Sequence, residues 1–364
     1  MTLKPMTVRK CGSVKNTFLP PGASPLSTMA RPQHRNPDPR LPPAPSLLRR
    51  MTCGVCMGVA DAVPGVSGGT IALILGVYRH LIAHLAAVVD IAAQPWLRGP
   101  WLQLPTLLRF LVPLLLPLLI ALWLTTRLLV GVVPDVQGLD VEQGNALLRE
   151  NAGWLIAPHT APLILGFFFG LVAASLTVPW RARHNPTVSP RHIILVILGA
   201  VAAMSLTLMP ASSGSVHPLA LALAGAAAIA VMLLPGISGS LLLLVLGMYQ
   251  PISDALHRGD VGQMTAVAIG VGLGVALVIP LLRRLLQRAH DATMATLTGL
   301  MAGSLLALWP WKQHYLPQQV ESWGPMYPIL PHGSWLWVGV AAALGAGIMV
   351  LVRLLAPPPQ HGEA

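Results

Sequence analysis

Two short runs have the residue types needed to hold an anion through backbone amides: PGVSGGT at Pro64 to Thr70 and PGISGS at Pro235 to Ser240. Glycines let a chain turn tightly and approach a ligand closely. Ser and Thr favour the first turn of a helix, where N–H groups lack intrahelical acceptors. Such a helix start also carries partial positive charge, which suits a phosphate. The phosphate-binding set is therefore Gly65, Ser67, Gly68, Gly69 and Thr70 from the first run, with Gly236, Ser238, Gly239 and Ser240 from the second. The competing reading of such runs is a plain kink that packs two helices together. Neither Ser67 nor Ser238 has a His, Lys or carboxylate arranged nearby in sequence as a base, so ligand binding or capping fits better than nucleophilic catalysis, and no catalytic residue is assigned.

Other ionisable groups border these runs. Asp61 lies one helical turn before the first, where it serves either as a coupling group or as a cap for the turn. Arg79 follows Tyr78, and Arg127 and Arg284 occupy matching ends of long apolar stretches, positions that suit headgroup contacts or snorkelling. His80 and His84 share a helical face but have no carboxylate partners for a metal. Cys53 and Cys56 begin an apolar segment, and no second CxxC or HxxxH completes a zinc set. The sequence calls for neither a metal nor a cofactor.

The two runs belong to a repeat. VPGVSGGTIALILGVY (63–78) superposes on LPGISGSLLLLVLGMY (234–249) without a gap, pairing Pro64 with Pro235, Ser67 with Ser238, Gly76 with Gly247 and Tyr78 with Tyr249. GFFFG from Gly166 and GLMAG from Gly299 echo each other further on, and both suit close helix packing. Each Pro-Gly run interrupts an apolar segment, and the arms of the first, Cys53 to Val63 and Gly69 to Tyr78, each span about half a bilayer. Six uninterrupted apolar stretches remain, near 106–130, 161–179, 192–210, 264–282, 293–310 and 333–355, each about long enough to cross. The predicted architecture is an all-α integral membrane protein, an inverted repeat of two halves, each a re-entrant broken-helix hairpin plus three transmembrane helices. Its divisions are a basic Pro-rich tail (1–50), repeat 1 (51–210), repeat 2 (217–356) and a short C-terminal tail (357–364).

Composition agrees with a bilayer setting. Charged residues make up 10% of the 364 and hydrophobic ones 54%, whereas soluble domains carry roughly a quarter charged residues. Nine of the 23 Lys and Arg lie in the first 50 residues, alongside ten prolines and one acid, so that tail reads as disordered and cytoplasmic. Met51, which follows two arginines, is an alternative start to Met1. The acidic loop 131–160 falls outside and the arginines at 181–191 and 283–288 inside if both broken segments re-enter, which places both termini in the cytoplasm. The net charge of +11 is explained by this bias, and no nucleic-acid recognition motif accompanies it.

MGVADAVPGVSGGTIALILGVY (57–78), GFFFGLVAASL (166–176), LLPGISGSLLLLVLGMY (233–249) and TGLMAGSLLALWPW (298–311) together resemble the bacterial polyprenyl-phosphate transporter family, PopT. The resemblance runs over almost everything after residue 50. It implies translocation of undecaprenyl phosphate, the lipid carrier of cell-wall precursors, across the bacterial inner membrane. The partners it implies are the polyprenyl phosphate lipid and the bilayer, with a homo-oligomer left open. Two departures stand out: Leu306 occupies a position that is often basic in the family, and the 131–160 loop is longer than usual. The rival readings are a membrane undecaprenyl-pyrophosphate phosphatase and a small-anion transporter.

Overall fold

The computed structural model describes residues 45–63, 66–96, 101–129, 160–185, 187–209, 216–312 and 327–355. Most of the basic tail, the acidic stretch 130–159, the residues from 356 onward, Pro64 and Gly65 lie outside these. The described residues are helical, joined by turns, with one isolated bridge between Lys312 and Pro328.

The first half comprises α1 (Leu47–Asp61), α2 (Gly68–Ile74), α3 (Tyr78–Ala93), α4 (Leu104–Leu129), α5 (Ala161–Ser175), α6 (Thr177–Arg181) and α7 (Pro190–Leu208). The second comprises α8 (Pro218–Met232), α9 (Gly239–Val245), α10 (Tyr249–Arg258), α11 (Val261–Arg288), α12 (His290–Ser304) and α13 (Trp335–Leu355). Helix α1 starts at Leu47, inside the stretch assigned to the tail, with Ser46 capping it through the Arg49 N–H. Helices α3 and α10, which follow the broken segments, lie outside the apolar stretches expected from the sequence.

Among the described residues five stretches are long and apolar enough to cross a membrane: α4, Ala161–Arg181 (α5 running on into α6), α7, α11 and α13. The sixth expected span is shorter. Helix α12 ends at Ser304, after which the chain tightens into three-residue turns, with Leu306 N–H donating to Gly303 at 3.2 Å and Leu308 N–H to Leu305 at 3.1 Å. Its 15 helical residues cover only about 22 Å. Leu115, Leu116, Leu119, Ile120 and Trp123 on α4, and Leu273, Leu277 and Leu281 on α11, are exposed, the apolar outside that lipid demands.

The local repeat is reproduced element by element. Helices α1 and α8 end at aligned residues, α2 and α9 share aligned bounds, and α3 and α10 begin at the aligned Tyr78 and Tyr249. Gly76 and Gly247 both take left-handed backbone, with φ of 72° and 67°, and close matching helix ends in which Val77 N–H donates to Ala72 and Met248 N–H to Leu243. Side by side, α1 runs along α4 as α8 runs along α11, while α5 runs along α13 as α12 runs along α7. The fifth helix of each half is thus packed on the last helix of the other. The two small-residue runs make these contacts: Gly166 and Gly170 abut Val338 and Ala342 of α13, and Gly299 and Gly303 abut Val196 and Ala200 of α7. Both were expected to allow close packing, and both do.

One polar staple fixes the loop after α6. The Asp291 carboxylate accepts the amides of His184 at 2.7 Å and Asn185 at 3.1 Å, with the His184 ring 3.5 Å away. Burial pushes its carboxyl up, but these amides and the neighbouring His184 and His290 outweigh that and hold it below the ordinary value. A carboxyl lowered in this way stabilises the fold above its unfolded value and ceases to do so as pH falls through the folded one. Asp291→Asn is therefore expected to lower the melting temperature at neutral pH. The gap from wild type should close below about pH 4, as thermal unfolding across pH will show.

Candidate functional site

The two Pro-Gly runs, far apart in sequence, meet directly. Thr70 Oγ1 accepts the Gly236 N–H at 2.9 Å, Ser67 Oγ donates to the Met232 carbonyl at 3.3 Å, and Tyr78 Oη donates to the Leu233 carbonyl at 2.8 Å. A side chain on Gly69 would stand 3.1 Å from that Met232 oxygen. The first broken segment therefore uses its own hydroxyls to satisfy backbone groups that the break in the second leaves without helical partners, as unpaired groups at membrane depth require. One apolar core wraps the junction, drawing Val63, Val66 and Phe110 from the first half and Leu233, Ile279 and Met301 from the second.

Within each run the placement is as follows. Ser67 caps α2, its Oγ accepting the Gly69 N–H at 3.2 Å, and the Gly68 N–H donates to Asp61 Oδ1 at 2.5 Å. Asp61 reaches over the break to stand at the α2 start, and its Oδ2 is buried with no hydrogen-bond partner among the described residues. A carboxylate thus sits where the sequence places a phosphate. In the second run Gly236 has φ of +99°, the Ser238 and Ser240 hydroxyls bond each other at 2.7 Å, and Gly239 packs on Ala228. Ser67, Gly68, Gly69, Thr70, Gly236, Ser238 and Gly239 are buried, with Ser240 partly so. Gly65 lies outside the described residues.

Arg79, Arg127 and Arg284 are exposed, in contrast to the buried runs. The Arg127 guanidinium lies 5.2 Å from the Trp123 ring centroid, and it is the neighbouring Arg283 that pairs with Asp90, at 3.7 Å. His84 stacks on Phe110 at 4.0 Å, with its Nδ1 2.7 Å from the His80 carbonyl oxygen. Cys53 and Cys56 are free thiols. His184, His290 and Asp291 bring three potential metal-ligand atoms within 4.8 Å of one another. The Asp291 oxygens and His290 Nε2 already bond backbone groups, however, and the cluster works as the staple described above.

Three cations were missed in the sequence. Arg49 Nη2 donates to the Leu75 carbonyl at 3.0 Å, placing a positive charge at the closing end of α2. Lys312 is buried and its Nζ reaches the Ala307 carbonyl at 2.5 Å. Arg183 is only 9% exposed and lies over the Trp180 ring, 3.7 Å from its centroid. The Trp-x-x-Arg spacing was visible in the sequence, whereas the partners of Arg49 and Lys312 are set by the fold.

A family model matches residues 57–137 and 147–323, those carrying both broken segments; it is the VCA0040-like family, described as undecaprenyl phosphate translocase-like. This chain belongs to that family. A polyprenyl-phosphate transporter of Vibrio cholerae is 32% identical over 284 residues, covering 76% of this chain and 82% of the relative. A polyprenyl-phosphate transporter of Staphylococcus aureus is 28% identical over 290 residues, covering 74% and 87%. No solved structure matches the chain.

Proposed function

We propose that this member of the translocase-like family carries polyprenyl phosphate across the bacterial inner membrane, returning the lipid carrier for cell-envelope synthesis with no chemistry at phosphorus. The observation that carries this reading is the family match over both broken segments, joined to the direct contact between the two amide-rich runs. The headgroup binds between the starts of α2 and α9, on amides of Ser67 to Thr70 and Ser238 to Ser240, while the prenyl chain stays in lipid. Gly236 gives the second turn its shape. Asp61, which holds the Gly68 amide in the closed arrangement, yields it to the phosphate. Arg79, Arg127 and Arg284 serve as headgroup contacts at the membrane faces.

The architecture for this task is two inverted repeats, with the broken segments re-entrant and three crossings in each half, α12 and its following turns making the short sixth crossing. The matched helix bounds and matched glycine turns support the repeat. The Asp291 staple supports the topology, since it joins the arginine-bearing loop after α6 to the segment after Arg288, and both are cytoplasmic in this arrangement, with both termini.

Reconstitution of the full chain into liposomes tests the reading. Polyprenyl phosphate placed in one leaflet is expected to reach the other in the presence of protein, with no phosphate released from polyprenyl pyrophosphate. Phosphate release, or anion flux through liposomes free of polyprenyl lipid, would overturn it.

A further inference from the structure

An open groove of about 340 Å³ runs along the bundle surface between α6, α7 and α12. Leu176, Trp180, Ile193, Val196, Ile197 and Thr298 are among its walls. Its two threonines turn their hydroxyls back to their own helices, Thr177 to the Ala174 carbonyl at 2.9 Å and Thr298 to the Met294 carbonyl at 2.8 Å, so the surface offered is apolar. Ile193, Val196 and Ile197 are β-branched and stiff, so the groove keeps its shape when empty.

A cation stands against one wall residue, Trp180. Arg183 stacks on Trp180, its Nε donates to the Trp180 carbonyl at 2.9 Å, and its Nη1 lies 3.4 Å from His192 Nδ1. No carboxylate among the described residues lies within ion-pair distance of it, although it is nearly buried. A buried guanidinium held in place without an anion is costly unless an anion visits. Arg181 and Arg191 are exposed nearby in the chain and add to the positive charge of this segment. An apolar trough with an arginine fork stacked on one of its wall residues matches a lipid that joins a phosphate to a branched hydrocarbon chain.

The groove is also tied to the broken segments. Helix α6 packs on α2 and α7 on α9. On α12, Thr298 lines the groove, while one turn on, Leu300 and Met301 lie against Gly236, whose added Cβ would stand 2.6 Å from the Leu300 carbonyl carbon.

We propose that this groove is the release site for polyprenyl phosphate: Arg183 takes the phosphate and the groove takes the isoprene units nearest to it, after the headgroup leaves the turns of α2 and α9. The inference rests on the transport reading and adds to it an exit site on the cytoplasmic side, outside the two Pro-Gly runs. At this volume the groove holds only the proximal part of a long chain, and the remainder lies in the bilayer.

The test is photolabelling of the full-length protein in nanodiscs, using polyprenyl phosphate with a diazirine in its first isoprene units. Label is expected on residues 176–180 and 193–197, displaced by excess unlabelled polyprenyl phosphate but not by phosphatidylglycerol. Ile197→Trp, at a site 55% exposed where bulk is tolerated, and Arg183→Gln should each reduce labelling at least tenfold. Arg183→Lys should recover part of it, and Ile194→Trp, on the same helix outside the groove lining, should leave it unchanged. Equal displacement by phosphatidylglycerol would mark the groove as ordinary lipid contact, and labelling that survives Ile197→Trp would place the tail elsewhere. Either result overturns the release site while wild-type transport still stands; absence of both transport and labelling overturns the transport reading itself.

Discussion

Gly236→Ala is expected to abolish transport and to lower the melting temperature of the purified protein by several degrees. At φ of +99° the backbone lies where side chains are rarely tolerated, and the new methyl would sit 2.5 Å from the Met301 nitrogen. The strain is on the order of 1–3 kcal/mol, and forcing bulk against a backbone that cannot swing aside adds a similar amount. The same displacement pulls the Gly236 N–H away from Thr70, breaking the contact that joins the two runs. Gly259→Ala is the matched control: its φ is +67° but nothing lies within 4 Å, so only the backbone strain of roughly 1 kcal/mol applies. Thermal unfolding in detergent, alongside the liposome assay, separates the two. Wild-type transport in Gly236→Ala would show that the approach of this turn to α12 has no part in the cycle.

Asp61→Asn is expected to bind polyprenyl phosphate at least tenfold more tightly than wild type at pH 8. The amide oxygen can still accept the Gly68 N–H, so the α2 start keeps its cap, but the competing negative charge is gone. Two unit charges about 4 Å apart repel by about 4 kcal/mol at an effective dielectric near 20, so even a strongly screened remainder exceeds a factor of ten. The advantage should shrink as pH falls, because a protonated wild-type carboxyl is also neutral. Asp61→Ala differs in kind: it leaves the Gly68 N–H without its acceptor and should destabilise the protein by about 1–2 kcal/mol. Titrations in nanodiscs between pH 5 and 8 decide the matter. Identical affinities for wild type and Asp61→Asn throughout would mean that the headgroup and Asp61 never contend for the same amide.

The sequence made the broken segments legible because their chemistry is local. Pro, Gly and Ser at fixed spacing dictate a break and a restart, and the structure restarts both helices at aligned residues, Gly68 and Gly239. Apolar length alone located the five long spans to within a few residues. It failed at α12, where Leu305 to Leu308 are as apolar as any helix but fold into tight turns. It also passed over α3 and α10, because Arg79, His80, His84 and Asp90 in one, and Asp254 and Arg258 in the other, interrupt the hydropathy. At the site, the residues were found but not their partners. That Thr70 holds Gly236, or that Asp61 folds forward onto Gly68, depends on contacts across a break or across more than a hundred residues, which no spacing rule encodes.

The exchange of partners between the halves bears on how the protein is made. Helix α7 lies along α12 and α5 along α13, so two helices of the first half emerge from the ribosome well before the surfaces that cover them exist. Until residues 290–355 have been synthesised they must wait in the bilayer with their close-packing glycine and alanine faces against lipid. The halves are interlocked, and a chain truncated after residue 210 would lack the complement of both.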